Sequence, residues 1–169
     1  MDALTGQRNI FMQVEHLMTK QVKSCSPEGT LQRAAHLMWE GDCGCLPVCT
    51  GNGINRVVGV ITDRDICMSA LFQGKPLHDL HVSDAMAKKL MACSARDALS
   101  DVESTMRRAR VRRLPVIDDR GALIGIIALA DLAREAVREH GATNKSVSES
   151  HVGDTLAAIC VSTGQQRAA

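Results

Sequence analysis

The chain has 169 residues, which suits one compact domain or two small ones. A net charge of +1, a pI of about 7.6 and an aromatic content of 2% exclude a basic nucleic-acid binder and a base-stacking single-strand binder. No apolar run approaches the roughly 20 residues of a membrane span, Met1 to Gln13 lacks a signal-peptide pattern, and seven cysteines, an odd number, read as reduced thiols of a cytoplasmic protein.

Residues 1–13 form an extension able to add a strand or a helix to the rest of the chain. A short strand is expected around Val22. A helix comes next, because Leu31, Ala34, Ala35 and Met38 fall at i, i+3, i+4 and i+7 as one apolar stripe. Gly41 is its stop. Two strands come after it, Leu46-Pro47-Val48 and Val57-Val58-Gly59-Val60-Ile61, joined through the turn Thr50-Gly51-Asn52-Gly53. Proline has no N–H to donate, so the first of them is an edge strand or is locally bulged. A last helix starts near Asp63, with Ile66, Ala70 and Leu71 on its buried face.

The series then begins again. At a shift of 68 residues Val14 meets Val82, Met18 meets Met86, Cys25 meets Cys93, Met38 meets Met106, and Leu46-Pro47-Val48 meets Leu114-Pro115-Val116. Beyond the turn the shift is 66, and Gly59 meets Gly125 and Asp65 meets Asp131. The second series has a strand around Leu90 and a helix on Leu99, Val102 and Met106, with Asp97 placed to cap it. Next are the strands Leu114-Pro115-Val116-Ile117 and Leu123-Ile124-Gly125-Ile126-Ile127. The final helix starts near Leu129 and buries Leu132, Ala133, Ala136 and Val137.

The order is β-α-β-β-α twice, an α+β fold with repeats at 14–72 and 82–138. A unit of about 60 residues buries only roughly 60% of its unfolded surface. The two units are therefore expected to pack about a pseudo-twofold axis, leaving two related clefts between them. Residues 139–169 form a linker and tail. Val152, Leu156 and Ile159 make a short apolar stripe there, which either docks, across a dimer for instance, or stays disordered.

The duplicated Leu-Pro-Val strands, the Met18-Thr19 and Met86-Ala87 openings and the run Gly59-Val60-Ile61-Thr62-Asp63-Arg64-Asp65 carry a resemblance. The tandem resembles a pair of cystathionine-β-synthase (CBS) domains, a Bateman module, over residues 14 to 138. The resemblance implies a regulatory, non-catalytic module. Such pairs bind AMP, ADP, ATP, NAD or S-adenosylmethionine in their clefts and usually dimerise into flat discs. With no second domain in the sequence, the output would act on a regulated protein in trans. Neither nucleic acid nor membrane is an expected partner. A dimerisation scaffold with idle clefts is the alternative, and a thiol metal or redox protein a more remote one.

Within that resemblance, Asp65 can accept both ribose hydroxyls as a charge-assisted pair, and Thr62 can add a hydroxyl contact. Thr62 and Asp63 fit equally well as a plain helix cap. Asp131 keeps the carboxylate in repeat two, but Ala128 replaces the hydroxyl residue, so the second site is weaker, different or idle. Arg113, directly before Leu114-Pro115-Val116, is a phosphate candidate, with Arg64 and Arg112 beside it; its counterpart in repeat one is the uncharged Cys45. Adenine would lie near Val22, Ser24, Leu90, Pro47 and Pro115. Cys43, Cys45 and Cys49 cluster around a strand, where cysteine is also an ordinary small apolar residue. The six histidines show no ligand spacing, and neither a phosphate loop nor a Gly-x-Ser-x-Gly elbow occurs.

Overall fold

A computed structural model describes residues 12–51, 53 and 55–161. Most of the N-terminal extension and Asn52 of the first turn lie outside the described residues. In repeat one, α1 (Leu31–Glu40) begins on Thr30, whose hydroxyl accepts from the Arg33 amide at 3.2 Å, and stops at Gly41. Its stripe of Leu31, Ala34 and Met38 is buried. β1 (Cys45–Thr50) pairs antiparallel with β2 (Arg56–Thr62), and α2 (Asp63–Gln73) comes directly after. A short α3 (Val82–Ala85) opens repeat two. Then come β3 (Cys93–Ser94), α4 (Leu99–Ala109), β4 (Arg113–Ile117), β5 (Leu123–Ala128) and α5 (Leu129–Arg138), and α6 (Glu149–Cys160) forms the tail. Among the described residues, no helix is long and apolar enough to cross a membrane.

The proline strands are bulged. β4 lies between β3 and β5, so it is no edge. Register shifts just past each proline, at Val48/Cys49 and at Val116/Ile117.

Three expectations need correction. Val22 and Leu90 are not in strands. The ladder positions are Cys25, which bridges Val48, and β3. Residues 22 and 90 instead span the gap between two sheets. Asp97 does not cap α4: its carboxylate accepts from the Ser94 amide at 2.9 Å and closes the preceding turn, one residue too early for the N-cap position held by Ala98. Leu71 and Val137 are each 68% exposed. The buried stripes of the final helices run through Ile66 and Leu132, and residues 71 and 137 lie a further 100° round the helix from Ala70 and Ala136.

The pseudo-twofold axis is visible in the bridges. Arg56 pairs with Ala122, its own counterpart under the shift of 66, so the axis passes between them. Thr19 pairs with Ile126 and, symmetrically, Ala87 with Val60; Gln13 pairs with Ala98 and His81 with Thr30. Each repeat therefore begins inside the other. Val14, fully buried, sits in the core made by Leu99, Met106, Leu114 and Ile127 of repeat two. Leu80 and Val82 sit in the core made by Leu31, Leu46 and Ile61 of repeat one. The chain leaves the partner repeat at Thr19 or Ala87 and joins its own sheet at Cys25 or Cys93. Val22 and Leu90 are the crossing, which is why neither joins a ladder.

The tail is tied down within the chain. The Glu139 carboxylate accepts from the amides of Ser146 and Val147 at 2.7 and 3.1 Å, and Val147 is buried. α6 then lies on α4 and α5, with Val152 and Ile159 packed against the repeat-two core. The stripe residue Leu156 stays 45% exposed, whereas Thr155 is fully buried. Its hydroxyl donates to Glu103 Oε1 at 2.9 Å and accepts from Arg107 Nε at 3.1 Å.

Candidate functional site

The local sequence Thr62-Asp63-Arg64-Asp65 makes a capping box at the β2–α2 junction. Thr62 is extended, as suits a β-branched residue ending a strand, and its hydroxyl oxygen accepts from the Asp65 amide at 3.2 Å. Asp65 reaches back: Oδ2 accepts from the Thr62 amide at 2.9 Å and from the Thr62 hydroxyl at 2.7 Å. One carboxylate oxygen thus fixes the side chain. Among the described residues no donor reaches Oδ1, so it remains an acceptor held in place on a half-buried, rigid support.

In the counterpart in repeat two both carboxylate oxygens have partners. Asp131 Oδ2 accepts from the Ala128 amide at 2.7 Å, and Oδ1 is taken by the Arg134 guanidinium. In repeat one the position of Arg134 is Met68, which offers no cation. The missing hydroxyl at Ala128 is legible in the sequence. The engagement of Asp131 by Arg134 escapes the sequence reading, although an i, i+3 carboxylate–arginine spacing signals it.

Arg113 opens β4 of repeat two. Across the β4–β5 ladder it lies beside Ala128. Cys45 lies beside Thr62 on the β1–β2 ladder of repeat one. Burial pushes the Cys45 thiol up to about 11; Arg113 works against that, while Cys43, Asp65 and Asp63 add to it. Arg64 is exposed in the first turn of α2, where its amide donates to Asp63 Oδ1 at 2.7 Å. Arg112 places its guanidinium 3.5 Å from Cys160 Sγ on α6, and it lines with Arg113 a hollow beside Ala128 and Val152.

The positions named for adenine are divided between the two repeats, Val22, Ser24 and Pro47 in one and Leu90 and Pro115 in the other. Pro47 and Pro115 are buried, and Val22, Ser24 and Leu90 are half-buried on the crossing segments. The Pro47 carbonyl accepts from the Cys25 amide at 3.1 Å. Cys25, Cys49 and Cys93 are, like Cys45, raised by burial, Cys25 to about 11 and Cys93 to about 12. Among the described residues no three His, Cys, Asp or Glu side chains converge so as to hold a metal ion.

A family model described as CBS domain matches residues 14–71 and 82–138. The chain is 35% identical over 138 residues to the CBS domain-containing protein YhcV of Bacillus subtilis, covering 82% of this chain and 95% of that one. It is similar to the solved structure of Hypoxic Response Protein I with two coordinated zinc ions, at 30% identity and a TM-score of 0.66, over 73% of this chain and 98% of that one. It is also similar to CBSX2 in complex with AMP, at 26% identity and a TM-score of 0.64, over 76% and 98% of the two chains.

Proposed function

Because the chain belongs to the CBS-domain family, we propose that it is a regulatory module that binds an adenosyl ligand at the Thr62–Asp65 junction and acts on a partner protein in trans. The carrying observation is the contrast between the carboxylates: Asp65 Oδ1 is unoccupied by any described donor, and both oxygens of Asp131 are engaged. A cis-diol presents two neighbouring hydroxyl donors, and an ionised carboxylate oxygen on a fixed support is their natural acceptor. Arg113 supplies the positive charge for a 5′ phosphate. The AMP in CBSX2 supports the ligand class. The module is read as regulatory rather than catalytic, in keeping with its family. It works as a homodimer.

A thermal-shift panel of AMP, ADP, ATP, NAD and S-adenosylmethionine tests this. A ligand present at 100 times its Kd adds about 2.7 kcal/mol, a rise of several degrees for a unit this size. No shift with any of them at millimolar concentration overturns the sensor reading and leaves the scaffold.

A further inference from the structure

Helix α6 does not fill the angle in which it lies. Between it and the start of α5 remains a hollow of about 320 Å3. Leu129 and Ala133 of α5 line it on one side, Val152 and Leu156 of α6 on the other. Arg112 and Arg113 line it too, and no carboxylate does. The run from Arg107 to Arg113 holds five arginines, and among the described residues only Arg107 has an ion-pair partner, Glu103. The carboxylates nearest in sequence turn away. Asp131 is two residues from Ala133, and Asp154 is two residues from both Val152 and Leu156, so each lies about 160° round its helix from the lining. The feature belongs to repeat two alone: the counterparts of Arg112, Arg113 and Leu129 are Gly44, Cys45 and Asp63, which reverse the charge.

We infer that this hollow binds a small amphipathic anion, an apolar chain ending in a carboxylate. Its volume falls at the lower end of the roughly 300–1,000 Å3 of ligand pockets. At ~30 Å3 for a water-sized group, it takes roughly ten heavy atoms. A guanidinium pairs with a carboxylate through two parallel hydrogen bonds, and two guanidinium groups without carboxylate partners stand at the hollow. The chain would cover Leu129, Ala133, Val152 and Leu156 and remove their apolar surface from water. A neutral chain leaves both cations unpaired, and a wholly polar anion leaves the apolar walls wet. The wall stands before any ligand arrives, because Thr155 anchors α6 to Glu103 and Arg107 independently of the hollow. This site is separate from the Thr62–Asp65 junction and stands whether or not that junction binds an adenosyl ligand.

Calorimetry with octanoate, octanol and acetate tests it; octanoate has ten heavy atoms, and the other two lack its charge or its chain. Octanoate should bind saturably at one site per chain and slow hydrogen exchange across 149–160, as a ligand that holds α6 must. Arg112→Ala, which removes a charged hydrogen-bond partner, should weaken it at least tenfold. Ala133→Leu, which fills the hollow, should do the same while leaving the response to AMP as in the wild type. Octanol or acetate binding as well as octanoate overturns the proposal. So does octanoate binding that both variants retain, or the absence of saturable binding at millimolar octanoate.

Discussion

The carbonyl oxygen of Ala87 lies 2.7 Å from the point where a side chain at Gly59 would begin. Val60 and Ala87 exchange both backbone hydrogen bonds there, at 2.9 and 3.2 Å. The related pair is Gly125 with Met18 and Thr19, at 2.7 and 3.0 Å. The glycines in the strands after the Leu-Pro-Val segments are thus the places where each repeat's opening segment crosses the other's sheet.

Gly59→Ala should cost about 1–3 kcal/mol, since the obstacle is backbone and cannot swing aside. Gly51→Ala, with nothing within 4 Å of its added methyl, is the control and should be near neutral. Urea denaturation of the two variants checks this.

Asp65→Ala should weaken adenosyl-ligand binding about tenfold to a hundredfold or more, because a hydrogen bond to a charged group is worth about 1.5–3 kcal/mol. Asp131→Ala should cost less. Met68→Arg, which transplants the cation that occupies Asp131, should weaken binding by a similar route, and Arg134→Met should open the second site. Arg113→Ala should spare adenosine and hurt AMP. Calorimetry decides. Loss of tight binding in Asp131→Ala alone would move the site to repeat two, and equal losses for adenosine and AMP in Arg113→Ala would remove its phosphate role.

Much of this architecture is legible in the sequence because it is local. The stripe from Leu31 to Met38 follows from helical spacing, and the Thr62-x-x-Asp65 box from three residues' separation. The mirrored positions follow from the duplication. What the sequence hides is non-local. Nothing near Val14 says that its side chain completes a core more than 80 residues away, and nothing near Thr155 says that Glu103 waits for it. The strands expected at Val22 and Leu90 are absent for the same reason: apolar character at a crossing looks like apolar character in a ladder. The open oxygen of Asp65 depends on which lone pairs are already used, which only coordinates reveal.

Thr155→Val should loosen α6 by about 1–3 kcal/mol, because it leaves the buried Glu103 carboxylate with one partner fewer. Hydrogen exchange should speed up across 149–160 before it does in α4. Uniform protection identical to wild type would show that the tail is held by its apolar residues alone.

Stability should fall at alkaline pH. An unfolded cysteine ionises near 9.0, while Cys25 and Cys45 ionise only at about 11 and Cys93 at about 12 in the fold. From pH 9 upward the unfolded chain releases protons that the folded chain retains. Each thiol therefore adds a slope of up to about 1.4 kcal/mol per pH unit, less at half-buried Cys25, where water screens the charge. Below pH 9 these groups contribute no slope. Urea midpoints measured from pH 8 to 10.5 should be flat and then drop, and Cys45→Ala should make the drop shallower.

The reciprocal openings also set an order of events during synthesis. Repeat one, from Leu31 to Val82, is contiguous and can close as soon as α3 leaves the ribosome. Val14 cannot close so early, because its core includes Leu132, Ala136 and Val147. At roughly 5–20 residues per second, the segment around Val14 waits on the order of ten seconds with its apolar side chains uncovered. Slower translation of repeat two would lengthen that interval, and the nascent chain would spend it offering Val14, Leu17 and Met18 to chaperones.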